Sequence, residues 1–282
     1  MQDTYAHCEA VVRAADKDRY LASLFAPAAA RQHLHALYAF ASEIARVREA
    51  AREPLPGEIR LQWWRDVLAG EGRGEVSANP VAAALLDTVA RCALPRERLI
   101  ALIDAHAFDL YDDEMPSLAD LDAYAEHTSG ALFALASQIL GSSDGADAIA
   151  AAATPAGIVY GVAQRVRTFP RDLARRQLFV PVDLLAQHGV AREEIEARQN
   201  SAGLRGALAA LRDHARAALG RFRAVAPDIP ESRAPAFLVV ALVSPLLARL
   251  DAAAADPFAS VEVPQWRRQW LLWRAARRWP KV

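Results

Sequence analysis

The sequence predicts an all-α protein. Apolar residues recur at spacings of three and four, alanine supplies much of the apolar content, and no alternating run is long enough to make a useful strand. Proline and glycine mark the breaks between the periodic segments. No internal repeat or long disordered linker appears, so residues 1–282 are read as one domain.

The first strong helix is predicted from about Pro27 to Glu53, closed by Pro54. Leu34, Leu37, Tyr38, Ala41, Ile44 and Ala45 draw a single stripe along it. Arg60 to Ala69 reads as a short helix carrying Trp63 and Trp64. A glycine-rich connector, EGRGEVSANP, follows, and Asn79-Pro80 opens a helix that runs to about Cys92. Pro95 restarts the chain into RERLIALIDAHAFDLYDD. Met115-Pro116-Ser117 is a turn, with Ser117 placed to cap LADLDAYAEHTSGALFALASQIL. After Gly141 to Gly145, an alanine-rich helix leads to Arg165, and Pro181, Pro227, Pro230, Pro235, Pro245 and Pro264 punctuate the rest.

The balance of charges excludes one function class. A formal net charge of −1 gives no bulk attraction to nucleic acid, so any anion site must come from local arginine clusters. Cys8 and Cys92 lie far apart with no metal-ligand spacing, which suits two ordinary buried thiols in a reducing compartment. The N-terminus is charged and lacks a signal-peptide core. The longest uncharged stretches, Ala148 to Gln164 and Ala234 to Ala248, fall short of the roughly 20 residues that cross a bilayer and read as core helices. The expected location is the cytoplasm, with peripheral contact to the inner membrane face.

The densest chemistry lies in Gln164 to Pro181, QRVRTFPRDLARRQLFVP. Thr168 and Asp172 are four residues apart and share a helix face. Arg165, Arg167, Arg171, Arg175 and Arg176 surround them, and guanidinium groups bind phosphate through paired hydrogen bonds. Two readings stand: a site for a diphosphate or lipid headgroup, or a solvated basic face with internal salt bridges to Asp172 and to the glutamates of the first helix. The spacing of Asp109, Asp112 and Asp113 imitates a metal motif, but their place at a helix end favours a solvated acidic terminus. His33 and His35 point to different helix faces and are expected to be satisfied or surface histidines rather than a ligand pair.

Five segments, taken together and in order, resemble the squalene/phytoene synthase family. They are HALYAFASEIARVREA from His35, LQWWRDVL from Leu61, NPVAAALLDTVARCALP from Asn79, LDAYAEHTSGALFALASQILG from Leu121, and the Gln164–Pro181 block. The resemblance covers most of the chain. It implies an isoprenoid-synthase helical bundle around a central apolar cavity, and an ancestral chemistry that joins two prenyl diphosphates head to head with Mg²⁺. The family's second acidic motif falls on Thr168 and Asp172, and its exit on Phe179-Val180-Pro181. Its first falls on Ala45, Arg46 and Glu49. Arg46 would repel a cation; a unit-charge contact at 4 Å and an effective dielectric of about 20 is worth about 4 kcal/mol, and a divalent ion doubles it.

The pattern is similar to a branch related to a mitochondrial assembly factor for respiratory complex I, in which the fold persists while the aspartates decay. The resemblance therefore implies a non-catalytic or altered protein that binds a lipid, an isoprenoid or an assembly partner. Arg46, Glu49, Arg165, Thr168, Asp172 and Arg175 are the candidate ligand-binding residues. No cofactor is expected. Mg²⁺ belongs to the alternative, an active prenyltransferase acting on farnesyl or geranylgeranyl diphosphate. At the C-terminus, Trp266, Trp270 and Trp273 share one helical stripe, with Arg267 and Arg274 on an adjacent one. This segment either lies on a membrane surface or caps the bundle with its tryptophans.

Overall fold

A computed structural model describes residues 1–51, 53–72, 76–141 and 145–281. Residues 73–75 of the glycine-rich connector and 142–144 of the Gly141–Gly145 break lie outside the described residues, as does Arg52 near the end of the first predicted helix. The regular structure of the described residues is helical, and their β-pairing is one isolated bridge between Glu114 and Leu178.

In chain order the helices are α1 (Gln2–Ala15), α2 (Lys17–Ser23), α3 (Ala28–Ala45), α4 (Val47–Ala50), α5 (Pro54–Ala69), α6 (Pro80–Cys92), α7 (Arg96–Ala107) and α8 (Leu118–Ala125). They continue as α9 (Ala131–Leu140), α10 (Ala146–Ala174), α11 (Val182–Gln187), α12 (Arg192–Glu196), α13 (Ala202–Val225), α14 (Ala234–Phe237), α15 (Val243–Ala252) and α16 (Gln265–Arg277). The long α10 runs through the middle, packed on α13, α8, α9 and α15, while α1 lies across α3 and α6. Asn79 caps α6 by accepting from the amides of Val81 and Ala82, and Ser117 caps α8 through the amide of Asp120.

Three boundaries differ from expectation. The first predicted helix breaks at Arg46, whose backbone (φ −103°, ψ 6°) leaves the helical region, and resumes as the single turn α4. Helix α5 begins at Pro54 rather than Arg60, because proline suits a first helical turn that needs no amide donor. The predicted helix from Ser117 is continuous, but Glu126–Gly130 within it is a π-turn. The uncharged stretches also sit in longer helical regions. Ala146–Ala174 and Glu231–Ala252 are long and apolar enough to cross a bilayer by composition, yet over half of each apolar window is buried within the bundle, at 56% and 67%.

Two buried histidines are held by hydroxyl groups. His33 Nδ1 lies 2.9 Å from the Thr88 hydroxyl and 3.1 Å from that of Tyr5, and His35 Nε2 lies 2.8 Å from Ser23 Oγ. Burial holds both imidazoles below their ordinary pKa. A depressed folded pKa gives stability that is present above the unfolded value and lost as pH falls through the folded one. Urea unfolding is therefore expected to show a histidine-dependent loss beginning below about pH 6.5. Half-buried Asp18 and Glu43 and buried Asp172, whose pKa values are raised by desolvation, act with the opposite sign. The difference between the native chain and a His33→Gln/His35→Gln variant isolates the histidine part. A difference that stays constant from pH 7.5 to 5.5 contradicts it. Cys8 is buried, with its thiol pushed up to about 12 by desolvation, and Cys92 is half-buried; both are free.

Candidate functional site

A cavity of about 420 Å³ opens between the α1–α2 corner, α3, the π-turn, α10, and the segment entering α16. Its inner wall carries Ala41, Leu132, Leu242, Leu246 and Val263. The apolar cavity expected from the sequence is only partly realised, because charged groups also line it: Lys17, Arg19, Arg46, Arg165, Arg167, Arg171 and Arg268 against Asp16, Asp18 and Glu262. Each of those three carboxylates already has a guanidinium. Asp16 meets Arg19 at 2.7 Å, Asp18 meets Arg268 at 3.1 Å, and Glu262 meets Arg167 at 3.7 Å. Lys17 and Arg171 pair with no carboxylate among the described residues. The lining is thus cationic after its internal pairs are closed, although the whole chain is nearly neutral.

Arg19 was not signalled by any motif, only by the charged run ADKDRY between the first two helices. Its guanidinium lies 4.8 Å from the Tyr160 ring centre and 5.7 Å from that of Tyr38. Burial disfavours its charge, but Asp16 and the two phenols outweigh that and hold it above its ordinary pKa. A permanent cation therefore sits between aromatic faces inside the bundle.

The six residues singled out in the sequence form two groups. Arg165, Thr168 and Asp172 are brought together on the inner face of α10: Thr168 Oγ1 donates to Asp172 Oδ2 at 2.6 Å, and Arg165 Nη1 lies 3.4 Å from the same oxygen. Arg165 also covers Phe179, its guanidinium 4.1 Å from the ring centre. Burial raises the pKa of Asp172, opposed by Arg165 and the Thr168 hydroxyl. Arg46, Glu49 and Arg175 form the second group at the rim. Arg46 Nε reaches Glu49 Oε2 at 3.2 Å, and Arg175 Nη1 reaches Glu49 Oε1 at 2.6 Å. Burial pushes the Glu49 carboxyl up, but the two arginines prevail and hold it below its ordinary range. Glu43 faces the other way, toward Arg60 at 3.7 Å.

The acidic end at Asp109 requires a correction. Asp109 is buried, not solvated, because the chain tightens into a 3₁₀ turn over Phe108–Leu110 and carries it inward. Its carboxylate lies 2.7 Å from His106 Nδ1 and accepts from the Tyr124 hydroxyl at 3.0 Å, while Gln177 Nε2 donates to its backbone carbonyl at 3.0 Å. His106 and Tyr124 line the cavity in front of it. Burial, and then Asp109, raise the Tyr124 phenol well above its ordinary pKa. Asp112 and Asp113 are exposed, as expected, and Asp112 pairs with Arg48 at 2.5 Å.

These donors do not fit a Mg²⁺ ion at the two positions the fold would use. Such an ion needs several hard oxygens free to coordinate. Asp172 is a single carboxylate already held by Thr168 and Arg165, and Ala45 and Arg46 offer none. Among the described residues, no group of three or more His, Cys, Asp or Glu converges on a common point.

Known proteins share this architecture and sequence. The squalene/phytoene synthase profile matches residues 12–274. The chain belongs to the squalene/phytoene synthase family. Within that family it is 30% identical over 257 residues to the rat NADH dehydrogenase (ubiquinone) complex I assembly factor 6, covering 91% of this chain and 76% of the relative. It is 29% identical over 210 residues to the phytoene synthase of Thermus thermophilus, covering 73% and 69%. The crystal structure of a squalene synthase from Alicyclobacillus acidocaldarius superposes with a TM-score of 0.74 at 25% identity, over 91% of this chain and 96% of that one. The all-α isoprenoid-synthase bundle expected from the sequence is thereby established for this chain.

Proposed function

We propose that this squalene/phytoene synthase family member is a non-catalytic binding protein that takes a phosphate-bearing isoprenoid or lipid without divalent metal and serves in respiratory-complex assembly. The observation that carries the reading is the Arg46–Glu49–Arg175 chain. It joins α4, on which the family's first acidic motif falls, to the end of α10 just beyond Asp172 of the second, by side chains alone. Lys17 and Arg171 supply charge for an anionic headgroup, Arg165 adds a guanidinium fork, and the apolar inner wall receives a hydrocarbon tail. The assembly role rests on the similarity to complex I assembly factor 6 and is an analogy of sequence.

The binding reading is tested with farnesyl diphosphate as probe, followed by calorimetry in EDTA and in Mg²⁺. Equal affinity in both, with no diphosphate released, is expected. Arg171→Ala is expected to weaken binding by about tenfold, as for loss of a hydrogen bond to a charged group. Loss of binding in EDTA, or Mg²⁺-dependent diphosphate release, overturns this reading in favour of an active prenyltransferase. That second reading is favoured by the similarity to phytoene synthase. Complex I abundance in cells lacking the chain tests the assembly role, and unchanged abundance contradicts it.

A further inference from the structure

The last helix presents a face that the bundle does not use. Helix α16 docks through Leu272 and Ala275, both buried, and through Arg268, which bridges to Asp18 at 3.1 Å. At about 100° per residue these three positions point to one side of the helix. Trp266, Trp270 and Trp273 project from roughly the opposite side, 70%, 48% and 48% exposed. The tryptophans therefore do not cap the bundle.

Three arginines share that outward side. Arg267, Arg274 and Arg277 are exposed and pair with no carboxylate among the described residues. Arg274 lies 5.4 Å above the Trp270 ring centre, and Arg277 lies 5.1 Å above that of Trp273. Arg278 and Lys281 extend the charge, and no acidic residue occurs between Val263 and Lys281. Aromatic rings with interleaved guanidinium groups match the headgroup boundary, where indoles reach the acyl region and cations meet phosphate. The charge is of one sign, and its complement is an anionic surface.

We propose that α16 is a docking face for an anionic phospholipid bilayer. The helix lies flat, held to the body by Leu272, Ala275 and Arg268. Val263 and Arg268 line the cavity from the inward side of this segment, so the lipid-facing and cavity-facing sides belong to the same element. The docking stands independently of what the cavity binds.

The test is flotation of the intact chain with vesicles of phosphatidylglycerol mixed into phosphatidylcholine, and with phosphatidylcholine alone. Truncation before Gln265 would uncover the core beneath Leu272, so point variants are used. Binding to the anionic vesicles only, weakened by salt, is expected. A Trp266→Ala/Trp270→Ala/Trp273→Ala variant is expected to lose binding while retaining the native melting temperature, because all three side chains are exposed. Neutralising Arg267, Arg274 and Arg277 to Gln is expected to cost about fivefold each, about a hundredfold together. Absence of vesicle binding by the native chain, equal binding to neutral vesicles, or undiminished binding by either variant overturns the proposal. Capture of a protein on this face without vesicle binding also overturns it and assigns the face to a protein partner.

Discussion

Replacing Arg165 with methionine is expected to destabilise the protein by about 3 kcal/mol, in the range found when one partner of a buried ion pair is removed. Asp172 is buried and would keep only the Thr168 hydroxyl and the more distant charge of Arg171 against its desolvation. The carboxyl pKa, already raised by burial, would rise further. A carboxyl raised in the folded state contributes stability below its unfolded pKa and loses it as pH rises through the folded value. The deficit of Arg165→Met is therefore larger at pH 8 than at pH 5. Adding Asp172→Asn removes the orphaned charge and is expected to recover much of the loss. A double variant as unstable as the single, or a deficit independent of pH, would show that the two side chains are not coupled. The melting temperature reports the same effect, at about 2–4 °C per kcal/mol for a large domain.

Replacing Gly157 with alanine is expected to reverse the usual sign of that substitution. In an open helix interior, alanine stabilises relative to glycine by about 1 kcal/mol. A Cβ at Gly157, however, would lie 2.6 Å from the backbone N and Cα of Gly130 and 3.0 Å from the carbonyl of Ala125. These are backbone atoms of the π-turn region and cannot swing aside. Ala153, Gly157 and Gly161, four residues apart, form a small-residue face on which α10 meets this turn. Gly157→Ala is expected to cost about 2 kcal/mol net and Gly157→Val about 3 kcal/mol, as for overpacking. Gly220→Ala is the control: it lies in α13 with no foreign atom within 4 Å of its Cβ, and is expected to stabilise by about 1 kcal/mol. If Gly157→Ala behaves like the control, the close approach of the two segments is wrong.

These positions show what the sequence could and could not reveal. The helices were legible because their caps and periods are local: Asn79, Ser117 and the stripe from Leu34 to Ala45 need no tertiary knowledge. Thr168 and Asp172 were legible as neighbours because a spacing of four fixes a shared face. The pairing of Glu49 with Arg175 falls within one of the two readings of the arginine cluster, salt bridges to the glutamates of the first predicted helix, but which arginine meets which glutamate depends on two helix ends far apart in the chain. Arg19 was missed, and Asp109 was placed in solvent, because distant segments also set their surroundings. Each sits in a charged run that resembles surface, and only the folding of α2 against α10 or the tightening after α7 turns it inward. The Gly157 contact had no local signature either, because an unremarkable glycine in a helix becomes significant only when another backbone lies against it.

The bridge between Asp18 and Arg268 spans 250 residues of chain. Closing so long a loop costs only about 0.6 kcal/mol more per doubling of length, so its thermodynamic burden is small. Its consequence is in time. At about 5–20 residues per second of synthesis, Arg268 follows Asp18 by roughly ten to fifty seconds. Throughout that interval Asp18, a carboxylate destined for partial burial, has no cation from α16 to meet it. Helix α16 adds Arg268 to the cavity lining and presents the tryptophan face in the same event. A nascent chain halted before α16 has neither, so the step that closes the molecule is also the step that equips it.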